Sequence, residues 1–221
     1  MSNETIEAIS QRSREAILGR IKNTAPVEQC SHDVDYDPVA HIVMQDDLIE
    51  NLKNNMTNNK FIVHDIDEAS LIDTINAITK EHGLDKNFIY GPSLALDVDK
   101  INAQNKVCFD KAIEDVREEV FASSFSVIHA YAGVSSHGVA CVVSSETQPR
   151  MLSLAPTLCI ILLKKSDVVK SLTDALGKVK AAHEVLPSNI LFIAGPSRTS
   201  DVELITVFGV HGSQIVHLLL Y

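Results

Sequence analysis

The sequence predicts an α/β fold in which a mostly parallel sheet is covered by helices, with a helical segment at the N-terminus. Short apolar runs alternate with longer stretches of helical periodicity from about residue 60 onward. A hydrophobic fraction of 45%, with 5% aromatic residues and no Trp, describes an aliphatic core suited to helices packed on a sheet. A chain of 221 residues is long enough to bury such a core without disulfides or metals.

The first predicted element is an amphipathic helix that ends near Lys22. A polar connection without periodicity follows at residues 23–37, and residues 41–56 have the pattern of a second helix. We therefore assign residues 1–58 to an N-terminal helical segment and residues 59–221 to the α/β domain.

Strands and helices alternate through the second domain. The predicted strands are residues 60–64, 87–90, 106–109, 126–132, 139–144, 157–163, 190–194 and 214–220, and the predicted helices are residues 67–81, 111–120 and 167–183. Because parallel strands need long crossover connections, this alternation predicts a largely parallel sheet with both faces covered.

The charge balance argues against nucleic acid as a partner. The formal net charge is −10, with no run of Lys and Arg to neutralise phosphates. The longest apolar stretch, Leu158 to Leu163, is far shorter than the roughly 20 residues that span a bilayer. The polar N-terminus lacks the apolar region of a secretory signal, so we expect a cytoplasmic protein without a membrane span.

The four cysteines, Cys30, Cys108, Cys141 and Cys159, are scattered, with no C-x-x-C pair. Closely spaced thiolates are what let a chain wrap zinc or an iron–sulfur cluster, so we predict no metal site. No G-x-G-x-x-G follows a strand, and no cofactor is predicted.

The C-terminal region contains the main candidate site. Arg198, Asp201 and Glu203 are the only charged residues in the last 36 positions, just after a predicted strand. Ligands of parallel sheets bind beyond the carboxyl ends of strands, and Ser200-x-x-Glu203 matches a capping box that predicts a short helix from Asp201. The arrangement favours an anion; the alternative is that Arg198 only pairs with the two acids and caps the helix.

Two predicted turns contain histidines that are further candidates for the site. Val210-His211-Gly212 follows one apolar run, and Ser136-His137-Gly138 lies between two predicted strands. Either histidine could transfer protons, or could be a hydrogen-bonded structural residue. A serine nucleophile is disfavoured, because adjacent Ser and His seldom reach mutual hydrogen-bond geometry and no G-x-S-x-G is present.

The complete candidate set combines both regions. The candidate proton carriers are His211 and His137, and the candidate ligand-binding residues are Gly195, Pro196, Ser197, Arg198, Thr199, Asp201, Glu203, Gly212, Ser136 and Gly138. The motif at 195–197, Gly-Pro-Ser, also occurs at 91–93 after another strand, where ordinary turn chemistry explains it.

Three stretches carry a resemblance to a known family. They are FIAGPSRTSDVE with GVHG (residues 192–203 and 209–212), QPRMLSLAPTLCIIL (148–162) and, more weakly, SREAILGRI (13–21). The chain resembles the LUD-domain family of the LutC/YkgG lactate utilisation type. That resemblance implies a NagB/RpiA/CoA-transferase-like fold and a subunit that supports oxidation of L-lactate to pyruvate beside iron–sulfur partner proteins, which would hold the clusters.

The chain departs from the family pattern at one position. Where the family usually has Ala-Glu-Thr-Gly-Thr, residues 135–139 are Ser-Ser-His-Gly-Val, so Ser136 replaces the acid. Either His137 substitutes for that acid, or this chain only binds and assembles. The first hypothesis is therefore a subunit that binds a small carboxylate, a phosphate or a partner loop. The alternative is a stand-alone enzyme acting on a sugar phosphate, CoA thioester or folate. A third hypothesis is that these residues are purely structural.

Overall fold

A computed structural model describes residues 3–22, 46–200 and 206–221 of the chain. The chain divides into two compact units, residues 1–38 and residues 39–221. Helix α1 (Asn3–Lys22) belongs to the first unit and ends where the sequence predicted. Its last turn contains Arg20 and Lys22, and cations are favourable at the negative end of a helix dipole.

The second unit contains the remaining helices and strands. They are α2 (Leu48–Asn58), β1 (Ile62–Asp65), α3 (Leu71–Glu81), β2 (Asn87–Tyr90), β3 (Asn105–Cys108), α4 (Arg117–Phe121), β4 (Phe125–His129), β5 (Ala132–Val134), β6 (Val139–Val143), β7 (Leu158–Leu163), β8 (Val168–Val169), α5 (Leu172–Ala182), β9 (Ile190–Ile193), β10 (Arg198–Ser200), β11 (Thr206–Phe208) and β12 (Ile215–Leu220).

A six-stranded sheet forms the centre of this unit. Its strand order is β1-β12-β7-β4-β2-β3, and each neighbouring pair is parallel. The predicted α/β class with a mostly parallel sheet flanked by helices is confirmed. The more specific NagB/RpiA/CoA-transferase likeness stays a prediction.

A second sheet of four strands has the order β8-β5-β6-β9. Strands β5 and β9 both run antiparallel to β6. The single strand predicted at residues 126–132 is therefore wrong: the chain leaves the parallel sheet after His129 and enters the second sheet at Ala132. Strands β10 and β11 form a separate antiparallel hairpin.

The two faces of the parallel sheet carry separate parts of the core. On β7, Cys159, Ile161 and Leu163 face a cluster that includes α2 and residues of the four-stranded sheet. The alternate residues of β7 face a second cluster with α3. Both sets are almost fully buried, as the period of two in a strand requires when helices or sheets cover both faces.

Two predicted helices are shorter than expected. Residues 111–120 form a 3₁₀ turn and the short helix α4, because Val116 between them is not helical (φ −129°, ψ 20°). In residues 167–183, the first part pairs with β5 as strand β8, and α5 begins after the Ser171–Asp174 capping box. Tertiary pairing overrides helical periodicity at residues 168–169.

Helix α2 begins at Leu48, after the Asp47 N-cap, and packs against β1, β6 and β8. The sequence assigned this helix to the N-terminal segment, and the domain boundary at residue 58 stays a prediction. The early part of the predicted helix, residues 41–45, lies outside the described residues. Among the described helices, none is both long and apolar enough to cross a membrane.

Candidate functional site

The segment after β9 does not lie where the sequence analysis placed it. Because β9 is antiparallel to β6 in the four-stranded sheet, Gly195 is not beyond the carboxyl end of a parallel strand. It lines a cavity with Cys159 and Val216, the second residues of β7 and β12. The predicted position is therefore wrong, and the segment lies at the amino ends of the parallel strands. We call this space the amino-edge cavity.

The amino-edge cavity has a volume of about 190 Å³. It is lined by Ser153, Leu154, Cys159, Leu191, Phe192, Ile193, Ala194, Gly195, Ser197, His211, Gly212, Ser213 and Val216. Four of the predicted site residues, Gly195, Ser197, His211 and Gly212, therefore meet at one cavity. Its walls are mainly apolar, with hydroxyl groups and one imidazole among them.

Ser197 organises the polar side of this cavity. Its backbone N–H donates to the carbonyl of Ser213 at 2.9 Å, and its own carbonyl accepts from the N–H of Gly209 at 3.0 Å. Its Oγ accepts a weaker bond from the N–H of His211 at 3.3 Å. These bonds join the residues after β9 to the loop before β12, so two segments distant in sequence form one wall.

Arg198 does not line the amino-edge cavity. Its side chain is exposed, and its Nη2 donates a long bond of 3.4 Å to the carbonyl of Ala194. Arg198 is the first residue of β10 and pairs across the hairpin with Phe208. Thr199 is in the same strand, while Pro196 is buried.

Asp201, Glu203 and the helix predicted from Asp201 lie outside the described residues. The alternative that Arg198 only caps a helix by pairing with these acids therefore stays a hypothesis. The guanidinium has no ion pair with any described residue.

The turn at 136–138 does not line the amino-edge cavity either. It follows β5, and Gly138 has a φ of 60°, a region that favours glycine. A Cβ at Gly138 would also collide with the backbone of Asn55 in α2. The turn and the helix are therefore in direct backbone contact.

One expectation is wrong: the adjacent side chains of Ser136 and His137 do form a hydrogen bond with each other. The Ser136 Oγ and His137 Nδ1 are joined by a 2.7 Å hydrogen bond, although adjacent residues seldom reach this geometry. The tight turn around Gly138 makes the contact possible by bringing consecutive side chains to one side. Ser136 is only 6% exposed, so its hydroxyl lies beneath the surface.

The 135–138 turn is held by Asn51 and Asn55 of helix α2 and by the C-cap residue Asn59, none of which was predicted from the sequence. The Nδ2 of Asn51 and Asn55 donate to the carbonyl of Ser135, at 3.0 and 2.9 Å. The Nδ2 of Asn59 donates to the carbonyls of His137 and Gly138, at 2.8 and 2.9 Å. Their four-residue spacing, which places them on one helix face, was the available signal.

Gly195 contacts the same C-terminal end of helix α2. Its φ is 93°, and a Cβ there would collide with the carbonyl oxygen of Asn59. Asn59 therefore contacts both the Ser136–Gly138 turn and the Gly195 segment. The two predicted regions are neighbours through this helix end and do not share a cavity.

A second polar hollow lies at the opposite edge of the parallel sheet. It has a volume of about 210 Å³ and is lined by Ser93, His129, Ala130, Tyr131, Val143, Ser145, Thr147 and Gln148. His129 is the last residue of β4, and Ser93 follows the end of β2. We call this space the switch-point groove. Its residues were not predicted from the sequence, although the Gly-Pro-Ser motif at 91–93 includes Ser93 on one side of the groove.

Within the described residues, no group of three or more His, Cys, Asp and Glu side chains is arranged to hold a metal ion. Burial raises the pKa of the Cys141 thiol to about 11 and that of Cys159 to about 12. Cys108 is partly exposed, and burial raises its pKa as well. Cys30 lies outside the described residues.

The sequence of this chain is similar to those of known proteins. A family model described as LUD domain matches residues 49–221. YkgG of Escherichia coli is 36% identical over 113 residues, which are 49% of this chain and 48% of that protein. The matched segment thus spans about half the length of that relative. A protein of Anoxybacillus flavithermus named lactate utilization protein C is 27% identical over 76% of this chain and 77% of its own length.

The fold has a counterpart among solved structures. The crystal structure of a DUF162 family protein from Deinococcus radiodurans superposes with a TM-score of 0.56 at 16% identity, covering 78% of this chain and 95% of that one. At this identity the likeness concerns the fold alone. The family match extends over most of the chain and includes both sheets, and this chain therefore belongs to the LUD-domain family.

Proposed function

We propose that this protein takes part in lactate utilization and supports the oxidation of L-lactate to pyruvate together with iron–sulfur partner proteins. The observation that carries the proposal is the similarity to the lactate utilization protein C of A. flavithermus, which extends over most of both chains. Shorter matches to proteins of the same name in two Bacillus species support it.

The cysteines support the proposal that partner proteins hold the iron–sulfur clusters. Oxidation of L-lactate to pyruvate removes two electrons and two protons, so the electrons need an acceptor. Thiolates are the form of cysteine that binds iron. Cys141 and Cys159 are buried, and among the described residues neither belongs to a group of three or more His, Cys, Asp and Glu side chains that could hold a metal ion, which agrees with clusters held by other chains.

The amino-edge cavity is the proposed place for a small carboxylate or phosphate. Ser197 and His211 offer a hydroxyl and an imidazole at its wall, and Arg198 follows Ser197 directly. The volume of about 190 Å³ suits a ligand smaller than the drug-sized molecules that occupy roughly 300–1,000 Å³. The role of Arg198 in this proposal is to attract the anion from the neighbouring hairpin, since its side chain does not line the cavity.

The β10–β11 region offers a surface for a partner protein. Val207, Phe208 and Val210 are each about half exposed, although they are apolar. These three residues lie within four positions of one another in the sequence, and exposed apolar side chains are a common feature of protein interfaces. We propose that the iron–sulfur partner contacts this group, next to the wall of the amino-edge cavity.

The test combines growth with affinity purification. A strain lacking the chain is grown on L-lactate and, as a control, on pyruvate; we expect a defect on L-lactate alone. A tagged copy should co-purify with protein that contains iron and acid-labile sulfide. Phe208→Ser should weaken that association, whereas Val185→Ser, at an apolar residue 84% exposed elsewhere, should not. Normal growth on L-lactate without any co-purifying iron and sulfide would overturn the proposal.

A second candidate is a stand-alone enzyme acting on a sugar phosphate, CoA thioester or folate. The hydrogen bond between Ser136 and His137 favours it, because an imidazole that is hydrogen-bonded to a hydroxyl is placed to transfer a proton. Thermal-shift measurements with these compounds test it. A ligand at 100 times its dissociation constant adds about 2.7 kcal/mol of stability, and no response to any of them would exclude this candidate.

A further inference from the structure

The switch-point groove lies at the position where a parallel sheet ordinarily binds ligands. From β2, the chain moves to the edge strand β3, and it then returns to place β4 on the other side of β2. The strand order therefore reverses between β2 and β4. Connections diverge at such a point and leave a crevice beyond the carboxyl ends of the two strands. Ser93 and His129 lie at those two ends.

The wall formed by β4 is fixed by one side-chain amide. The Oε1 of Gln148 accepts the backbone N–H of His129 at 2.8 Å, and its Nε2 donates to the carbonyl of His129 at 3.0 Å. Both backbone groups of His129 are thereby satisfied at the point where the chain leaves the parallel sheet. This pairing holds the residue in place before any ligand is present.

The wall formed by the Gly91–Ser93 turn is fixed in a similar way. The N–H and the Oγ of Ser93 both donate to the carbonyl of Thr147, at 3.2 and 2.9 Å. Gly91 lies so close to that carbonyl that a Cβ would collide with it. The Ser93 hydroxyl oxygen keeps its lone pairs available to a donor.

His129 lines the groove and is the candidate hydrogen-bond donor to a ligand there. Its Nε2 accepts a long bond of 3.4 Å from the N–H of Ala95, which assigns the proton of the neutral ring to Nδ1. Nδ1 has no partner among the described residues. Burial and the positive charge of Lys164 lower the pKa of His129, so the ring is neutral at pH 7.

Lys164 does not line the groove itself, but its positive charge acts on His129, a residue that does. It directly follows β7, the strand next to β4, and its side chain is exposed. It forms no ion pair with any residue in the described ranges. Glu146 lines an adjacent hollow with Asp110 and does not line the groove.

We propose that the switch-point groove binds a small carboxylate that has a hydroxyl or carbonyl oxygen on the neighbouring carbon. The carboxylate faces Lys164, and the second oxygen bonds the Nδ1–H of His129 and, as a hydroxyl, can donate to Ser93. The volume of about 210 Å³ is sufficient for a small carboxylate. The inference assigns a site separate from the amino-edge cavity, and only the choice of probes, L-lactate and pyruvate, rests on the proposed function.

Direct binding to the full chain tests the inference. Titration calorimetry and ligand-observed NMR are run on the wild-type chain and on His211→Ala, which lacks the imidazole of the amino-edge cavity. In His211→Ala, L-lactate and pyruvate should still bind saturably, and acetate or inorganic phosphate should bind at least 10-fold more weakly. Lys164→Gln and His129→Asn should each weaken binding at least 5-fold. Lys164→Arg should retain it because the charge remains, and Lys170→Gln serves as a matched exposed-lysine control.

Four results would overturn the inference. They are no saturable binding by the wild-type chain at up to about 50 mM ligand, equal binding of acetate, unchanged affinity in Lys164→Gln, and loss of binding in His211→Ala, which would move the site to the amino-edge cavity. Circular dichroism confirms that each variant is folded. Failure here with an intact growth and purification result would leave the proposed function standing, so the two can be distinguished.

Discussion

The Nε2 of His64 lies 2.9 Å from the Nδ1 of His217, and the two rings stack in adjacent parallel strands. The other nitrogen of His217 is 3.0 Å from the Nε2 of His82, so three imidazoles form one hydrogen-bonded chain. His217 is 1% exposed on the core face that contacts α3. A buried imidazole satisfied on both nitrogens is stable only while it is neutral.

This chain of histidines predicts a loss of stability in mild acid. Burial, followed by the charges of His64 and His82, lowers the pKa of His217 to about 3. Burial also lowers the pKa of His64, partly opposed by Glu81. An unfolded histidine takes up its proton near pH 6.5, so stability is fully present above that pH and falls as pH decreases toward 3. For one histidine the slope reaches about 1.4 kcal/mol per pH unit.

Urea unfolding between pH 5 and 7.5 measures this effect. His217→Leu should flatten the dependence of the unfolding free energy on pH, because the buried titrating group is gone. His211→Gln, at an exposed imidazole outside the chain of three, should retain the wild-type slope. An unchanged slope in His217→Leu would show that other groups cause the dependence.

Gly195→Ala should destabilise the protein by about 1–3 kcal/mol or more. The cause is twofold: its φ of 93° disfavours a side chain, and the new Cβ would collide with the carbonyl of Asn59. Gly177→Ala is the matched control, because Gly177 lies within α5 with open space around it. That control should gain about 0.5–1 kcal/mol. If thermal or urea unfolding shows equal changes in stability for Gly195→Ala and Gly177→Ala, the close contact between Gly195 and the Asn59 carbonyl is refuted.

Asn59→Ala should cost about 1–3 kcal/mol, because two carbonyls of the 136–138 turn lose their donor. Asn54→Ala is the control, since Asn54 is exposed on the same helix. Urea unfolding compares the two. If Asn59→Ala lowers the free energy of unfolding no more than the control does, water replaces the hydrogen bonds of the Asn59 amide without loss of stability.

The thiols of Cys141 and Cys159 should be unreactive while the protein is folded. Both are buried and protonated at neutral pH, and the thiolate is the reactive species. A variant with Cys30→Ser and Cys108→Ser isolates these two. Ellman's reagent at pH 8 should react with it only after urea is added. Rapid reaction in native buffer would contradict the burial of both side chains.

Arg198→Ala should change stability by less than about 0.5 kcal/mol, because the exposed side chain makes one long hydrogen bond. We nevertheless expect slower growth on L-lactate, since the proposed function uses this charge to attract an anion. Lys180→Ala, at another exposed cation, is the control. Normal growth of the Arg198 variant at wild-type protein level would remove Arg198 from the proposed site.

The sequence by itself determined the fold class, the position of most strands and the grouping of Gly195, Ser197, His211 and Gly212. Periodicity is a local property, and the strand predicted at residues 157–163 and observed at Leu158–Leu163 can be recognised without knowledge of its neighbours. The spacing of the α2 asparagines was equally visible, but their acceptors are about 80 residues away along the chain.

Only the tertiary structure decided which sheet each strand joins. Strand β9 has the composition of a parallel core strand, yet its hydrogen bonds go to β6, which places Gly195 at the amino edge of the parallel sheet. The break between His129 and Ala132 likewise depends on pairing with different partners on its two sides. Strand pairing is a contact between distant segments, and a period of two carries no information about the partner. For that physical reason four residues of the amino-edge cavity could be predicted, but not its location, and the switch-point groove became visible only from the strand order.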